Sequence, residues 1–326
     1  METESCRVEY EEGGYCVLRG VLTNEQLEPM RRRVAREVDA MAARLYEEEK
    51  IGELHQHAPV GQRLALLGAQ TNLAKRSWSA ACQGEELFHL VTAPPLLDAV
   101  ARLLGTDTIH FHGATCRPKL PWRCPGAVVA EQPYHQDSQY FNSGVDGAVV
   151  LRPESPPVTE KWIDSSRFHI VSCWVPLSDT SVRNGGLQFL EGSHRWGLQP
   201  GQRGEDGNMR SIDDPLQRVD APPPVAVDCR IGDVVCFSNL TYHGSGPNYT
   251  DSVRWSLDWR YSAGPGSVRL SDLPLRRPPQ VAASDELAAR EAYIARLQKQ
   301  QGQVGAGMVV RTVCGRAVRA FLPPSL

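Results

Sequence analysis

Apolar positions in the N-terminal third of the chain recur every three or four residues, which is the period of an amphipathic helix. One such stripe runs through residues 22–49 and consists of Leu27, Met30, Val34, Val38, Met41 and Leu45. Thr23, followed three residues later by Gln26, suits a capping box at the start of this helix. Pro29 falls inside the stripe and predicts either a bent first turn or a later helix start.

A second stretch of helical character covers residues 86–105 and is rich in leucine, valine and alanine. Pro94 and Pro95 break it into two parts, and Gly105 stands where a helix commonly ends in a left-handed residue. The first 105 residues are therefore expected to form a mainly helical N-terminal part.

From Thr106 onward the pattern changes to short runs of β-branched and aromatic residues, separated by Gly, Pro, Asn and Asp. These runs cover residues 107–116, 168–177, 186–192, 233–240 and 252–262, and an earlier run covers 13–21. Asn184-Gly185-Gly186 marks a tight turn between two of them. The pattern predicts a mainly β protein with flanking helices, built as an antiparallel sandwich or barrel.

The order of these elements predicts one domain over residues 1–326 rather than two independent halves. In that layout residues 1–105 pack on a β core of residues 106–262, and residues 263–326 form a C-terminal extension with a helix at 283–300. Two stretches with few strand signals, 143–166 and 200–224, are predicted insertions. Their length is typical of lids, binding loops or disordered segments.

The composition is ordinary, with 41% hydrophobic residues, 22% charged residues and a net charge of −3, so no basic field attracts nucleic acid or anionic lipid. No run approaches the roughly 18 apolar residues of a membrane span. The nine cysteines contain no CxxC pair, and the N-terminus lacks the layout of a secretion signal. We expect a cytoplasmic protein with reduced thiols and a small-molecule substrate, without a nucleic-acid or membrane partner; the oligomeric state stays open.

His135 and Asp137 stand two residues apart in the stretch QPYHQDSQYF, so on an extended chain their side chains point the same way. His243 offers a second imidazole from a distant segment. Two imidazoles and one carboxylate are the facial ligand set of non-haem Fe(II) oxygenases, which leaves positions open for a co-substrate and O₂. The alternatives are a structural hydrogen-bonded pair at a strand end, and a metal site on the HxH pair of His110 and His112.

Residues 252–262 alternate between apolar and polar side chains, as a two-faced strand does. The polar face carries Ser252, Arg254, Ser256, Asp258 and Arg260. Burial of the apolar face would turn Arg254 into a polar cavity, where a guanidinium is suited to bidentate capture of a carboxylate. A keto-acid co-substrate that chelates iron at one end needs such a group at the other, so Arg254 is a candidate for that contact.

Several separate motifs agree, in order, with one known family. They are YHQD at 134–137, NGGLQFLEGSHRWG at 184–197, GDVVCFSNLTYHGSGPN at 232–248 with Arg254 beyond it, GGYCVLRGVLTNEQL at 13–27 and KLP at 119–121. On these motifs the chain resembles the phytanoyl-CoA dioxygenase family of Fe(II)/2-oxoglutarate-dependent oxygenases over roughly residues 10–262. A lone HxD motif is weak evidence, whereas several motifs in the same order are specific.

The resemblance implies a double-stranded β-helix, which is the jelly-roll or cupin-like fold. It implies that His135, Asp137 and His243 bind Fe(II) and form the catalytic centre, and that Arg254, Lys119 and Ser245 bind the co-substrate 2-oxoglutarate. The implied reaction uses O₂ to hydroxylate, or otherwise oxidise, an unactivated C–H bond of a small organic molecule. Succinate and CO₂ are the implied co-products.

Residues beside these motifs are candidates for the substrate site. They are Arg117, Trp122 and Arg123, close to Lys119, and Tyr140 and Phe141, after the HxD motif. For the aromatic residues the alternative is a place in the core, where aromatic side chains beside strands are more often found. His194 falls in a matching motif and is expected to order its loop.

Long insertions that could close over a particular ligand favour a tailoring hydroxylase of natural-product metabolism. Desaturation, epimerisation and ring formation begin with the same hydrogen abstraction and stay open as outcomes. The sequence also allows oxidation of an acyl-CoA lipid, a non-catalytic β-helix sensor that binds 2-oxoglutarate without consuming it, and a zinc hydrolase. A hydrolase would leave Arg254 without a role.

Overall fold

A computed structural model describes residues 2–73, 78, 84–106, 108–124, 131–141, 170–204, 207–263 and 274–276. Its helices are α1 (Glu2–Gly13), α2 (Asn24–Glu47), α3 (Val60–Gln70), α4 (Glu85–Val91), α5 (Pro94–Leu104) and α6 (Asp137–Phe141). Its strands are β1 (Tyr15–Leu18), β2 (Thr108–Lys119), β3 (Gln132–His135), β4 (Ile170–Pro176), β5 (Leu187–Phe189), β6 (Gly201–Arg203), β7 (Met209–Ser211), β8 (Val225–Ala226), β9 (Val234–Ser238), β10 (His243–Ser245), β11 (Arg254–Ala263) and β12 (Pro274–Arg276). The prediction of a mainly β protein with flanking helices is confirmed.

Helix α2 has the predicted capping box, in which the Thr23 side chain accepts from the Gln26 backbone and the Gln26 side chain accepts from the Thr23 backbone. All six residues of the predicted apolar stripe are buried. The helix begins before Pro29 and contains it, so the expectation of a later start is wrong. The predicted break at Pro94 separates α4 from α5, and Gly105 ends α5 in the left-handed conformation with φ of 67°.

The hydrophobic pattern does not predict α1, because that helix has no continuous apolar stripe. Tyr10 is buried, whereas Val8 on the same helix is exposed. Side-chain contacts one turn apart, from Ser5 to Glu9 and from Arg7 to Glu11, stabilise it along its length.

The strands form two facing antiparallel sheets, as expected for a double-stranded β-helix. The larger sheet has the order β1-β9-β4-β11-β2-β12, and the smaller has the order β3-β10-β5-β8. Strands β4 and β9 lie inside the larger sheet and are buried along their whole length. Their mainly apolar sequences agree with this burial on both faces.

Strand β11 has the two faces that its alternating sequence predicts. Trp255, Leu257, Trp259 and Tyr261 join the main hydrophobic cluster, together with residues of α2, α3 and α5. A smaller cluster between the two sheets contains Trp174, Phe189, Val235 and Phe237. The polar face of β11 therefore looks into the space between the sheets, away from the helices.

The predicted insertion at 200–224 contains the short β6–β7 hairpin and a 3₁₀ turn, Pro215–Gln217. Met209 of this hairpin is fully buried, so the segment packs against the core. The insertion at 143–166 and the helix at 283–300 lie outside the described residues. Of the extension 263–326, the structure describes Ala263 and β12, which pairs with β2.

Among the described residues, no single helix is long and apolar enough to cross a membrane, although the pair α4 and α5, bent by 49°, passes that test together. The seven cysteines of the described part carry free thiols.

Candidate metal centre and anion pocket

The three predicted metal ligands meet between the sheets, at the ends of two paired strands. Strand β3 ends at His135, and its neighbour β10 begins at His243, in register with it. Asp137 is the first residue of α6. The expectation that His135 and Asp137 share one extended strand is therefore wrong in its local geometry, because the chain turns into a helix between them. The turn nevertheless brings the carboxylate to the imidazoles.

The facing atoms of these three side chains are close enough to share one ion. Asp137 Oδ1 lies 4.0 Å from His135 Nε2 and 3.8 Å from His243 Nε2. The ligand atoms all lie within 4.8 Å of one another, and all three residues are buried. Two imidazole nitrogens and one carboxylate oxygen fit Fe(II) better than a closed structural zinc site, which draws on four ligands.

Backbone contacts fix the tautomer of both histidines. The Nδ1 atom of His135 donates to the carbonyl of Pro133 at 2.8 Å, and Nδ1 of His243 donates to the carbonyl of Thr241 at 3.0 Å. Each Nε2 is then left with a lone pair that points to the ion position. Burial and the neighbouring His243 lower the pKa of His135 to about 3, and burial also lowers the pKa of His243. Both imidazoles are therefore neutral, as metal binding requires.

Asp137 is held as a carboxylate by its surroundings. Burial alone would raise its pKa, but the guanidinium of Arg260 holds the pKa well below its usual range. Ser172 donates a hydrogen bond to the same carboxylate. The third ligand is therefore ionised at neutral pH.

A second buried group of polar residues lies where β2 and β11 pair. Lys119 and Arg254 are direct cross-strand neighbours and are 8% and 6% exposed. Lys119 Nζ donates to Ser245 Oγ at 2.6 Å, and Arg254 donates to Ser256 Oγ at 2.7 Å and to the Gly185 carbonyl at 2.9 Å. The Nε atom of Arg254 has no hydrogen-bond partner among the residues that the structure describes.

Neither cation of this pair forms a salt bridge within the described part of the chain. Burial and the charge of Arg254 lower the pKa of Lys119 to about 7. Burial also lowers the pKa of Arg254 to about 10. Uncompensated buried charge is costly unless a counter-ion is supplied. The pair, with Ser245 beside it, is therefore suited to an anionic group, and we call these three residues the anion pocket.

Two of the candidate substrate residues contact residues of the site, and two others contact each other. Tyr140 lies edge-on to His135, with ring centroids 5.3 Å apart, and Arg117 forms an ion pair with Asp258 on the polar face of β11. Trp122 is 45% exposed on the surface, where Arg123 lies over its ring.

Among the remaining candidates, His194 has a described side chain and is not part of the group of metal ligands. His194 donates to the Glu11 carbonyl at 3.2 Å, which agrees with a role in ordering its loop. The side chains of Phe141, His110 and His112 lie outside the described part of the structure, so the HxH alternative stays a prediction.

Sequence reasoning misses three residues that organise the centre. Arg260 and Ser172 bind Asp137, and Gln139 donates from its Nε2 atom to the carbonyl of Gln199 and to Ser211 Oγ. The alternation of β11 placed Arg260 on the correct face but could not identify its partner. Gln139 ties the 200–224 insertion to α6, so this insertion forms a wall beside the metal ligands.

Comparison with known proteins agrees with this geometry. The family model of phytanoyl-CoA dioxygenase matches residues 10–256. The peroxisomal phytanoyl-CoA dioxygenase of Mus musculus is 27% identical over 183 residues, which are 56% of this chain and 47% of that protein. An ectoine dioxygenase of Bordetella bronchiseptica is 23% identical over 297 residues, which are 87% of this chain and 81% of that protein. The chain thus spans about half the length of the phytanoyl-CoA dioxygenases it matches.

Solved structures with the same fold include the non-haem monooxygenase ThoJ, with a TM-score of 0.54, 20% identity and coverage of 91% of this chain and 100% of that one. The epimerase SnoN, in complex with Fe³⁺, alpha ketoglutarate and nogalamycin RO, has a TM-score of 0.50, 17% identity and coverage of 98% and 96%. At these identities the likeness shows the shared cupin-like fold. Because the family model spans most of the sequence, including the metal ligands and Arg254, this chain belongs to the phytanoyl-CoA dioxygenase family.

Proposed function

We propose that this protein is an Fe(II)/2-oxoglutarate-dependent oxygenase that hydroxylates, or otherwise oxidises, a C–H bond of a small organic molecule. One observation supports this proposal above the others. His135, Asp137 and His243 form a buried candidate site for a metal. Two residues after His243 on β10, Ser245 accepts a hydrogen bond from Lys119, whose cross-strand neighbour is Arg254, and this pair of cations forms no salt bridge within the described residues. A keto-acid co-substrate uses both features at once, since one end binds metal and the other end is an anion.

In this proposal the two neutral imidazoles and the Asp137 carboxylate hold Fe(II). With iron and 2-oxoglutarate bound, the centre supplies the oxidising power for the reaction with O₂. The protein contributes position and the exclusion of water. Tyr140, packed against His135, and the wall held by Gln139 shield one side of the centre from solvent.

The anion pocket is assigned to the distal carboxylate of 2-oxoglutarate. Arg254 offers its free Nε–H, and Lys119 and Ser245 offer donors from the neighbouring strands. Binding of a carboxylate there neutralises a charge that the fold otherwise buries at a cost. The same charge gives the pocket its preference for an anion over a neutral ligand.

For the substrate we propose a small metabolite of specialised metabolism rather than an acyl-CoA lipid. A coenzyme A thioester calls for a cluster of cations that binds its phosphates. In the described structure the nearby cations each have a different environment: Arg117 pairs with Asp258, Lys119 lies in the anion pocket, and Arg123 stacks on Trp122. We also propose that residues 1–326 form a single domain and that Arg117 and Tyr140 line the substrate site.

The test measures succinate formed from 2-oxoglutarate by the iron-loaded protein with a panel of small molecules. We expect turnover that requires iron and O₂ and is lost in His135→Ala. The matched control is His194→Ala, which removes an imidazole outside the centre and should keep activity. A protein that binds 2-oxoglutarate without consuming it would be a sensor, and activity with zinc in the absence of O₂ would identify a hydrolase. Either result overturns the proposal.

A further inference from the structure

One largely buried arginine, Arg260, contacts the carboxylate of the candidate metal centre. Arg260 lies on the polar face of β11, and its side chain is 14% exposed. Its Nε atom lies 3.0 Å from Asp137 Oδ2, and its Nη2 atom lies 2.9 Å from the same oxygen and 3.0 Å from Oδ1. This is the fork geometry that a guanidinium offers and an ammonium group does not.

The two oxygens of Asp137 accept different numbers of hydrogen bonds. Oδ2 accepts from Ser172 Oγ and from two nitrogen atoms of Arg260, which already exceeds its two lone pairs. Within the described residues, Oδ1 accepts only from Nη2 of Arg260, and it is the oxygen that faces both histidine Nε2 atoms. One oxygen is therefore occupied by the protein, and the other keeps a lone pair for a metal.

We propose that Arg260 is a positioning residue of the metal centre, which fixes Asp137 so that it offers a single oxygen, Oδ1, to the ion. The inference rests on the proposed function, because it takes the three-residue centre to be a metal site. It goes beyond that function in naming a residue that touches neither iron nor 2-oxoglutarate and yet sets how strongly the centre binds metal.

Arg260 is itself held in place from the opposite side. Its Nη1 atom donates to Asp258, two residues before it on the same face of β11. Asp258 also accepts from Arg117, on the neighbouring strand β2. The four side chains form a row of alternating charge that ends at Asp137. Because both flanking carboxylates bind Arg260, its side chain has little freedom to turn away from the metal ligand.

Two other roles for Arg260 make different predictions. If the guanidinium only competed with the metal for Asp137, its removal would leave metal binding unchanged or make it tighter. If it only balanced charge inside the cavity, lysine would replace it fully. A positioning role requires the two N–H donors of the guanidinium. Metal binding should therefore weaken when Arg260 is replaced, and Arg260→Lys should retain it only in part.

The experiment is a calorimetric titration of the metal-free full-length protein with Co(II), followed by the ligand-field absorption spectrum of the complex. We expect Arg260→Gln to weaken Co(II) binding by about 10- to 100-fold, the usual effect of removing a hydrogen-bond partner of a ligand. Its spectrum should also change, because Asp137 is then free to turn its second oxygen to the metal. The affinity of Arg260→Lys for Co(II) should lie between those of the wild type and Arg260→Gln.

The matched control is Arg63→Gln, which breaks the ion pair of another buried arginine, with the exposed Asp39, in the helical part. It should bind Co(II) as the wild type does, so a general loss of stability is separated from a loss of positioning. Thermal unfolding of each variant shows that it is folded at the titration temperature.

The outcomes separate this inference from the function on which it rests. A wild-type protein that does not bind Co(II), or a His135→Ala variant that binds as well as the wild type, refutes the metal centre itself. A different set of results refutes only the role of Arg260. In that set the wild type binds Co(II) and His135→Ala does not, but Arg260→Gln binds as tightly as the wild type or more tightly, or Arg260→Lys binds fully as well as the wild type.

Discussion

The depressed pKa of Lys119 makes a quantitative prediction about co-substrate binding. In the protein without a ligand this pKa is about 7, because the side chain is buried and lies beside Arg254, with Glu131 compensating in part. An anion in the pocket supplies the missing counter-charge and returns the pKa towards its ordinary value of 10.5. Binding of 2-oxoglutarate must then take up a proton wherever the free lysine is neutral.

The size of the effect follows from the two pKa values. At pH 8 a lysine with a pKa of 7 is about one-tenth protonated, so binding takes up about 0.9 proton, and at pH 6 it takes up about 0.1. Between pH 6 and pH 9 the dissociation constant of 2-oxoglutarate should rise about 90-fold, which is about 2.7 kcal/mol. The sign is fixed: affinity is highest at low pH and falls as the pH rises through 7.

Isothermal titration calorimetry of the metal-loaded protein in two buffers with different ionisation enthalpies counts these protons directly. Lys119→Met should abolish the uptake near pH 8 and should bind 2-oxoglutarate weakly at every pH. The matched control is Lys50→Met, which removes a surface lysine that is 55% exposed, and it should behave as the wild type does. Wild-type binding with no proton uptake at pH 8 would refute the assignment of the ligand to Lys119.

Three further predictions concern the same region. Arg254→Met should weaken 2-oxoglutarate binding by about 2–5 kcal/mol, since it removes one partner of a buried charge pair, and unchanged calorimetric affinity would contradict the anion pocket. Lys119→Met should stabilise the protein at pH 6 more than at pH 9. Between pH 7 and 10.5 the lysine binds more protons in the unfolded protein than in the folded one, so the free energy of unfolding of the wild type rises by at most about 1.4 kcal/mol per pH unit. Urea unfolding midpoints of both proteins at the two pH values test this. Gln139→Ala should cost about 1–2 kcal/mol and speed tryptic cleavage within residues 201–218, whereas the exposed Gln217→Ala should not; equal cleavage of the two variants would refute the wall held by Gln139.

The sequence predicts those parts of the structure in which neighbouring residues decide the outcome. Thr23 and Gln26 form their capping box, and Gly105 ends α5, because caps depend on the residues within one turn. The alternation of β11 gives its two faces for the same reason. Helix α1 is missed because its stability comes from the burial of Tyr10 against the fold and from contacts between charged side chains, without an apolar stripe.

The sequence predicts which residues come together in the candidate site but does not predict their hydrogen-bond partners. The residues His135, Asp137, His243, Lys119 and Arg254 all carry a recognisable motif or spacing, and the fold brings them into the two expected groups. The partner of each one is set by strand order. Since β11 lies between β4 and β2 in the larger sheet, a contact such as that of Asp137 with Arg260 joins residues that are 123 positions apart.

One strand therefore supports both halves of the proposed active site. Along the polar face of β11, Arg254 belongs to the anion pocket, Asp258 binds Arg260, and Arg260 binds the candidate metal ligand Asp137. Because side chains on one face of a strand repeat at a fixed distance of roughly 7 Å, the strand sets the separation between the carboxylate of the centre and the cation of the pocket. A rigid strand buried on both faces fixes that separation better than a loop could. This explains why the chain keeps a costly row of buried charges in the interior of its largest sheet.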